Sequence, residues 1–112
     1  MEQFKNTKVL FIIANAGHAD YIIAIAKDNG AGGATVLNAR GEGSKHEVFM
    51  GITVDVEKEI ILCLVDENVA DRIMTAVKEK AGIGTKTHAV CFTMPVDKMI
   101  GINTVPFPKI EE

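Results

Sequence analysis

The residues best suited to chemistry lie in two glycine-bearing loops and in a scatter of histidines and cysteines. Residues 29–51, NGAGGATVLNARGEGSKHEVFMG, lead from a glycine-rich turn through a short strand into GEGSKHE, residues 41–47. A loop of that composition leaves backbone N–H groups free to meet an anion or a partner surface. A second small loop, GIGTKT, covers residues 82–87, where its glycines suit a helix C-cap and turn. His18, His46 and His88 fall on three separate elements with no ligand spacing between them, so no metal site is assigned. His46 sits on the first loop, and His88 follows the second. Cys63 and Cys91 lie inside apolar, strand-like runs, the setting of small buried thiols rather than of a disulfide framework or a nucleophile. No Ser/His/Asp set, phosphate-loop signature or pair of catalytic carboxylates can be assembled. An acid/base enzyme would have to draw on His18, His46, His88 and Asp55, which the sequence does not bring together, so no catalytic residue is assigned.

The elements that carry these loops fit one domain. A chain of 112 residues, 47% hydrophobic and 24% charged, can bury a core without staples and is not disordered in composition. A net charge of −3 without any run of Lys or Arg lacks the electrostatic footprint of a nucleic-acid binder. The first apolar run ends at Ala14 and is followed at once by polar and helical sequence, unlike a signal peptide or a membrane span. The expectation is a cytoplasmic protein with no membrane insertion.

Residues 9–14, VLFIIA, are apolar at consecutive positions and read as a strand buried on both faces. After a turn at residues 15–17, Ala19, Ile22, Ile23 and Ala26 form the stripe of an amphipathic helix ending near Asn29 and Gly30, which suit left-handed cap geometry. Residues 34–40 read as a strand with Thr35, Leu37 and Ala39 on one face. The first loop then returns through Val48 and Phe49 to Ile52, Val54 and Val56, alternating as a half-buried hairpin arm does. Residues 60–65, IILCLV, make another doubly apolar strand. Asp66 or Asn68 caps a second helix with Ala70, Ile73, Met74, Val77 and Ala81 as its stripe. Residues 89–94 form the last strand, closed by Pro95. The tail from Val96 is expected to hold one short helical turn before Pro106 and Pro108 keep its end extended.

This βαββαβ order is internally repeated. A shift of about 51 residues sets VLFIIA on IILCLV, Ala19 and Asp20 on Ala70 and Asp71, Ile22 on Ile73, Lys27 on Lys78 and Gly33 on Gly84, without a gap. Two such halves interleave into a ferredoxin-like plait: a four-stranded antiparallel sheet with both helices on one face. Two helices cover only one face, yet both central strands are apolar on both, so the open face is expected to pack against other copies in a closed homo-oligomer.

At the level of motif order, GATV leading through ARGEG into a loop, EIILCLVDE leading into a helix, and the final VDKMIGIN resemble the PII signal-transduction proteins, the nitrogen-regulatory sensors. The resemblance covers residues 8–103 as a core, with a loop over 41–51 and a C-terminal tail over 104–112 of one domain, 1–112. It implies a homotrimer whose clefts between subunits bind ATP or ADP, often with 2-oxoglutarate, and whose long loop docks onto a target such as a transporter or enzyme. By position, Thr35, Gly41 and Gly43 match the family's strand and loop base around the nucleotide. Gly84, Thr85, Lys86 and Thr87 fall in the segment that matches its phosphate-cradling loop. Glu42, Lys45, His46 and Glu47 then belong to the docking loop. The implied protein is a non-enzymatic regulator of nitrogen metabolism or transport that requires no cofactor and takes ATP, ADP or AMP as an effector. The other readings are a small oligomeric enzyme on the same plait and a trimeric CutA-like metal-tolerance protein.

Departures from the family pattern mark a divergent branch. Ser44 stands where the family carries an Arg, Lys45 where it carries the Gln that helps hold 2-oxoglutarate and metal, and Gly101 and Asn103 where two arginines grip phosphates. The only tyrosine, Tyr21, lies on the first helix, so modification of a loop tyrosine does not apply. Losing three guanidinium groups removes hydrogen bonds worth about 1.5–3 kcal/mol each, or several powers of ten in affinity. Lys45 and Lys86, with backbone N–H groups at residues 41–44, restore part of that as point charges and anion-binding dipoles. The expectation is weaker nucleotide binding, a less charged nucleotide such as ADP or AMP, or another small anion.

Overall fold

Alternation along the strands decides which side of the sheet is buried. The computed structural model describes residues 6–41, 47–49, 52–54 and 56–101. Its elements are β1 (Thr7–Asn15), α1 (Ala19–Asp28), β2 (Thr35–Gly41), β3 (Glu47–Phe49), β4 (Ile52–Val54), β5 (Val56–Asp66), α2 (Glu67–Ala81) and β6 (Val90–Pro95). The order β2-β5-β1-β6 forms one four-stranded, fully antiparallel sheet. Each half of the repeat thus contributes one central and one edge strand, and each edge strand lies beside the other half's central strand. This is the interleaved βαββαβ plait.

On the covered face, Leu10, Ile12 and Ala14 of β1 and Ile61, Cys63 and Val65 of β5 are buried. They meet Ile22, Ile25 and Ala26 of α1 and Ala70, Ile73, Val77 and Ala81 of α2 in a single core. The α1 stripe differs from the expected one: Ile25 is buried and Ile23 only partly so. Both fit within the broad apolar wedge of a helix, and the way α1 seats on the sheet selects between them. Met74 of α2 is likewise partly buried.

The open face carries the complementary set. Register places Thr35, Leu62, Phe11 and Phe92 in one row across the four strands, with Leu64, Val9 and Met94 in another. Leu37, Leu64, Val90, Phe92 and Met94 are exposed in the single chain. Phe11 and Phe92 stack with ring centroids 4.9 Å apart and planes 7° from parallel. The doubly apolar strands therefore have one face under helices and the other open.

Several local expectations need correction. β1 extends beyond its apolar run to Thr7 and Asn15 because its ladder with β5 continues from Thr7↔Asp66 to Asn15↔Lys58. The arm expected to return toward the sheet forms a separate ribbon, β3 with β4, paired Glu47↔Val54 and Phe49↔Ile52. With only two residues between them, the segments pair with each other. Residues 96–101 hold no helical turn. Val96 N–H instead donates to the Thr7 carbonyl at 3.3 Å, and Gly101 takes φ +107; the rest of the tail lies outside the described residues.

Caps follow local chemistry. Asp66 caps α2, its carboxylate accepting from Asn68 N–H at 3.0 Å. At the end of α1 only Gly30 takes left-handed geometry, with φ +112, while Asn29 stays at φ −108 and its Nδ2 donates to the Ile25 carbonyl at 2.9 Å. A Cβ at Gly30 would also come within 3.3 Å of Val69 and Arg72 side-chain atoms.

Candidate functional site

Asn15, the last residue of β1, joins three parts of the chain at one end of the sheet. Its N–H donates to the Thr87 carbonyl at 3.0 Å, its Nδ2 donates to the Lys86 carbonyl at 2.9 Å, and its Oδ1 accepts from Lys58 Nζ at 2.6 Å. The turn from β1 into α1 adds two more ties. Gly17 N–H donates to Glu59 Oε1 at 2.8 Å, and His18 Nδ1 shares a hydrogen bond with Thr87 Oγ1 at 3.1 Å. The second loop is thereby fastened to β1, and β1 to β5.

The same register brings in the base of the first loop. Lys58 lies between Asn15 of β1 and Ala39 of β2, and Gly41 pairs with Val56 two residues further along. The Lys58 stem passes so close to Gly41 that a Cβ there would meet Lys58 Cγ and Cε at 3.2 Å. Glycine is used here for close approach, not for unusual backbone angles. A groove lined by Ala16, Asn38, Ala39, Arg40, Glu57 and Lys58 runs beside the clamp.

Within the second loop, Thr85 braces the bend. Its hydroxyl donates to the Gly82 carbonyl at 2.7 Å and accepts from His88 N–H at 3.2 Å. Gly84 and His88 take positive φ, +94 and +49. Ala89 N–H closes the loop onto the Ala81 carbonyl at 2.7 Å. Among the described residues, no acceptor within the chain meets the N–H groups of Gly84, Lys86 and Thr87. The ammonium of Lys58 carries three donors and directs one to Asn15. Unmatched amides and a lysine head are groups that can take a carboxylate or phosphate.

The residues singled out from the sequence separate accordingly. Lys86 and Thr87 bond to Asn15, and Gly41 lies against the stem of Lys58, which bonds to the same Asn15; Gly84 and Thr85 are in the exposed bend of the second loop. Thr87 is only 4% exposed and its hydroxyl faces His18, which makes it an internal support. Thr35 stands six residues before Gly41 on β2, about 20 Å away at roughly 3.3 Å per residue, so one chain does not bring it to the corner. Glu47 opens β3. Glu42, Gly43, Ser44, Lys45, His46 and Asn103 lie outside the described residues.

Sequence reasoning does not single out Asn15 or Lys58. Asn15 reads as a turn former and Lys58 as a solvated charge, and only the pairing of β1 with β5 puts them together. Cys63 and Cys91 are free thiols on the helix side of the sheet, and burial pushes both up from their ordinary pKa. Among the described residues, no group of three or more His, Cys, Asp or Glu is placed to hold a metal. No helix among them is long and apolar enough to cross a membrane.

The interleaved plait and the loop-bearing corner define a class, and the family comparison agrees with it. The model of the nitrogen regulatory protein P-II family matches residues 7–105. The chain belongs to that family, whose members are regulatory signal proteins. Among solved structures, a PII-like signaling protein from Thermus thermophilus is 24% identical, with a TM-score of 0.61 over 79% of this chain and 84% of that one. CPII of Thiomonas intermedia K12, a nitrogen regulatory PII-like protein bound to ADP, AMP and bicarbonate, is 18% identical, with a TM-score of 0.64 over 86% and 96%. The GlnK–ATP complex of B. subtilis is 16% identical, with a TM-score of 0.66 over 88% and 90%. At these identities the likenesses establish the fold. No curated protein matches the chain.

Proposed function

We propose that this protein is a divergent PII-like regulator in which an adenine nucleotide, ATP, ADP or AMP, binds at the corner beside the second loop and the base of the first. The observation that carries the reading is the Asn15 clamp, which ties Lys58 and the second loop together beside the base of the first loop. An anion held by Lys58, Lys86 and the second-loop amides contacts the groups that fix where the first loop leaves the sheet. Ligand occupancy then shifts the positions open to that loop. The nucleotides bound by CPII and GlnK support the choice of effector.

In this reading the protein is a cytoplasmic homotrimer of one domain over 1–112, built on the core 8–103. The open apolar face packs between copies, and a neighbouring copy completes each corner, bringing Thr35 to a cleft that no single chain forms. Residues 41–51, with Glu42, Lys45, His46 and Glu47, dock onto a target protein, a transporter or enzyme whose activity follows nitrogen status or transport demand. Gly43, Ser44 and Lys45 add amides and charge to the effector site. No catalysis is assigned.

Calorimetric titration with ATP, ADP and AMP, with and without 2-oxoglutarate and magnesium, tests the effector. Saturable micromolar binding that is lost in Lys58→Ala and Lys86→Ala supports the reading. Absence of heat with all three nucleotides, or unchanged binding in both variants, contradicts it.

A further inference from the structure

The contact between His18 and Thr87 has no role in the fold that a simpler pair could not fill. His18 stands at the N-cap of α1, where Ser, Thr, Asp or Asn normally satisfies a free helix N–H, yet its side chain makes no cap hydrogen bond. Its Nδ1 instead meets the hydroxyl of Thr87 at 3.1 Å, and that hydroxyl is in a residue only 4% exposed. Thr87 adjoins Lys86, whose carbonyl is held by Asn15.

We infer that His18 is a positioning residue for the effector site, a latch that fixes the Lys86–Thr87 end of the second loop beside Asn15 and Lys58; the inference rests on the functional reading above. Without the latch, Thr87 keeps its backbone tie to Asn15 but loses its side-chain anchor, and the loop must be ordered at the moment of binding. The hydrogen bond forms with either protonation state of the ring. A neutral Nδ1 accepts from the Thr87 hydroxyl, whereas a protonated Nδ1 donates to it and leaves the hydroxyl proton to find another acceptor.

Four variants separate the latch from mere packing: His18→Leu and Thr87→Val remove it, while His18→Asn and Thr87→Ser keep a polar atom in its place. Hydrogen exchange of the bonded amides of Asn15, Thr85, His88 and Ala89 reads the latch directly, and calorimetry with ADP reads its consequence. We expect exchange about tenfold faster and ADP binding about tenfold weaker in His18→Leu and Thr87→Val. Near-wild-type behaviour is expected in His18→Asn and Thr87→Ser. Unchanged exchange in His18→Leu and Thr87→Val would overturn the latch. Failure of the wild-type protein to bind ADP counts instead against the functional reading, because the exchange measurement stands without ligand.

Discussion

The two halves of the repeat end their central strands in different ways, and the candidate site lies where they differ. The shift that sets Ile22 on Ile73 also sets Asn15 on Asp66. Asp66 acts locally, its carboxylate capping α2 two residues away, and α2 starts at once with Glu67. Asn15 acts at long range, on Lys86 and Lys58, and α1 does not begin until Ala19. The first turn that α2 has, α1 lacks; in its place is a turn that presents Gly17 to Glu59 and His18 to Thr87. One half has a capped helix start, and the other has an open turn that ties down the second loop. A duplicated plait can thus be symmetric in its core and asymmetric in its site.

The largest effects should ignore that asymmetry. Ile22 and Ile73 are equivalent positions, both fully buried in one core. Ile22→Ala and Ile73→Ala should each lower stability by about 2–5 kcal/mol in a single denaturation transition. Two separate transitions would mean that the halves are independent units. Next come the strand ends. Asn15→Ala should cost about 1 kcal/mol and weaken nucleotide binding about tenfold. Asp66→Ala should cost a similar ~1 kcal/mol through its lost cap and leave binding unchanged. Equal binding in the two variants, by calorimetry, would break the comparison.

Smaller changes sharpen it. In Gly41→Ala the new Cβ meets the flexible stem of Lys58 at 3.2 Å. Stability should change by less than about 0.5 kcal/mol, while displacement of the lysine head weakens nucleotide binding a few-fold. An affinity equal to wild type would remove Lys58 from the site. The smallest effect belongs to the thiols. Burial raises Cys63 and Cys91 above 9.0, so the folded state keeps these protons after the unfolded thiols begin to ionise. The sign follows from proton counts: above about pH 9 the unfolded chain holds fewer protons, so stability falls as pH rises. Cys63→Ala should shift the overall stability through cavity formation but flatten that alkaline slope in a denaturation series.

Much of the architecture can be read from residue types alone, because it depends on short-range periodicity. The continuous apolar runs VLFIIA and IILCLV, the α2 stripe and the repeat all report local pattern, and all reappear in the plait. What cannot be read depends on register across distant strands. Lys58 touches Asn15 from 43 positions away, and nothing local separates it from Glu57 as a solvated charge. Its parity along β5 turns it to the open face beside Gly41, and a slip of one residue would turn it away. The choice of Ile25 over Ile23 has the same origin, since seating of α1 on the sheet is a tertiary outcome. The β3–β4 ribbon reads as a returning arm because alternation alone does not name a strand's partner.

The central claim, that the corner built by Asn15, Lys58 and the second loop is where an effector binds, is tested most directly by amide chemical-shift mapping during titration with ADP. The account predicts the largest saturable shifts at Gly41, Lys58 and residues 84–88, with the exposed outer faces of α1 and α2 unmoved. Shifts confined to the groove between α1 and α2, lined by Asn29, Arg72 and Lys80, or no shift at the corner at saturating ADP, would contradict it.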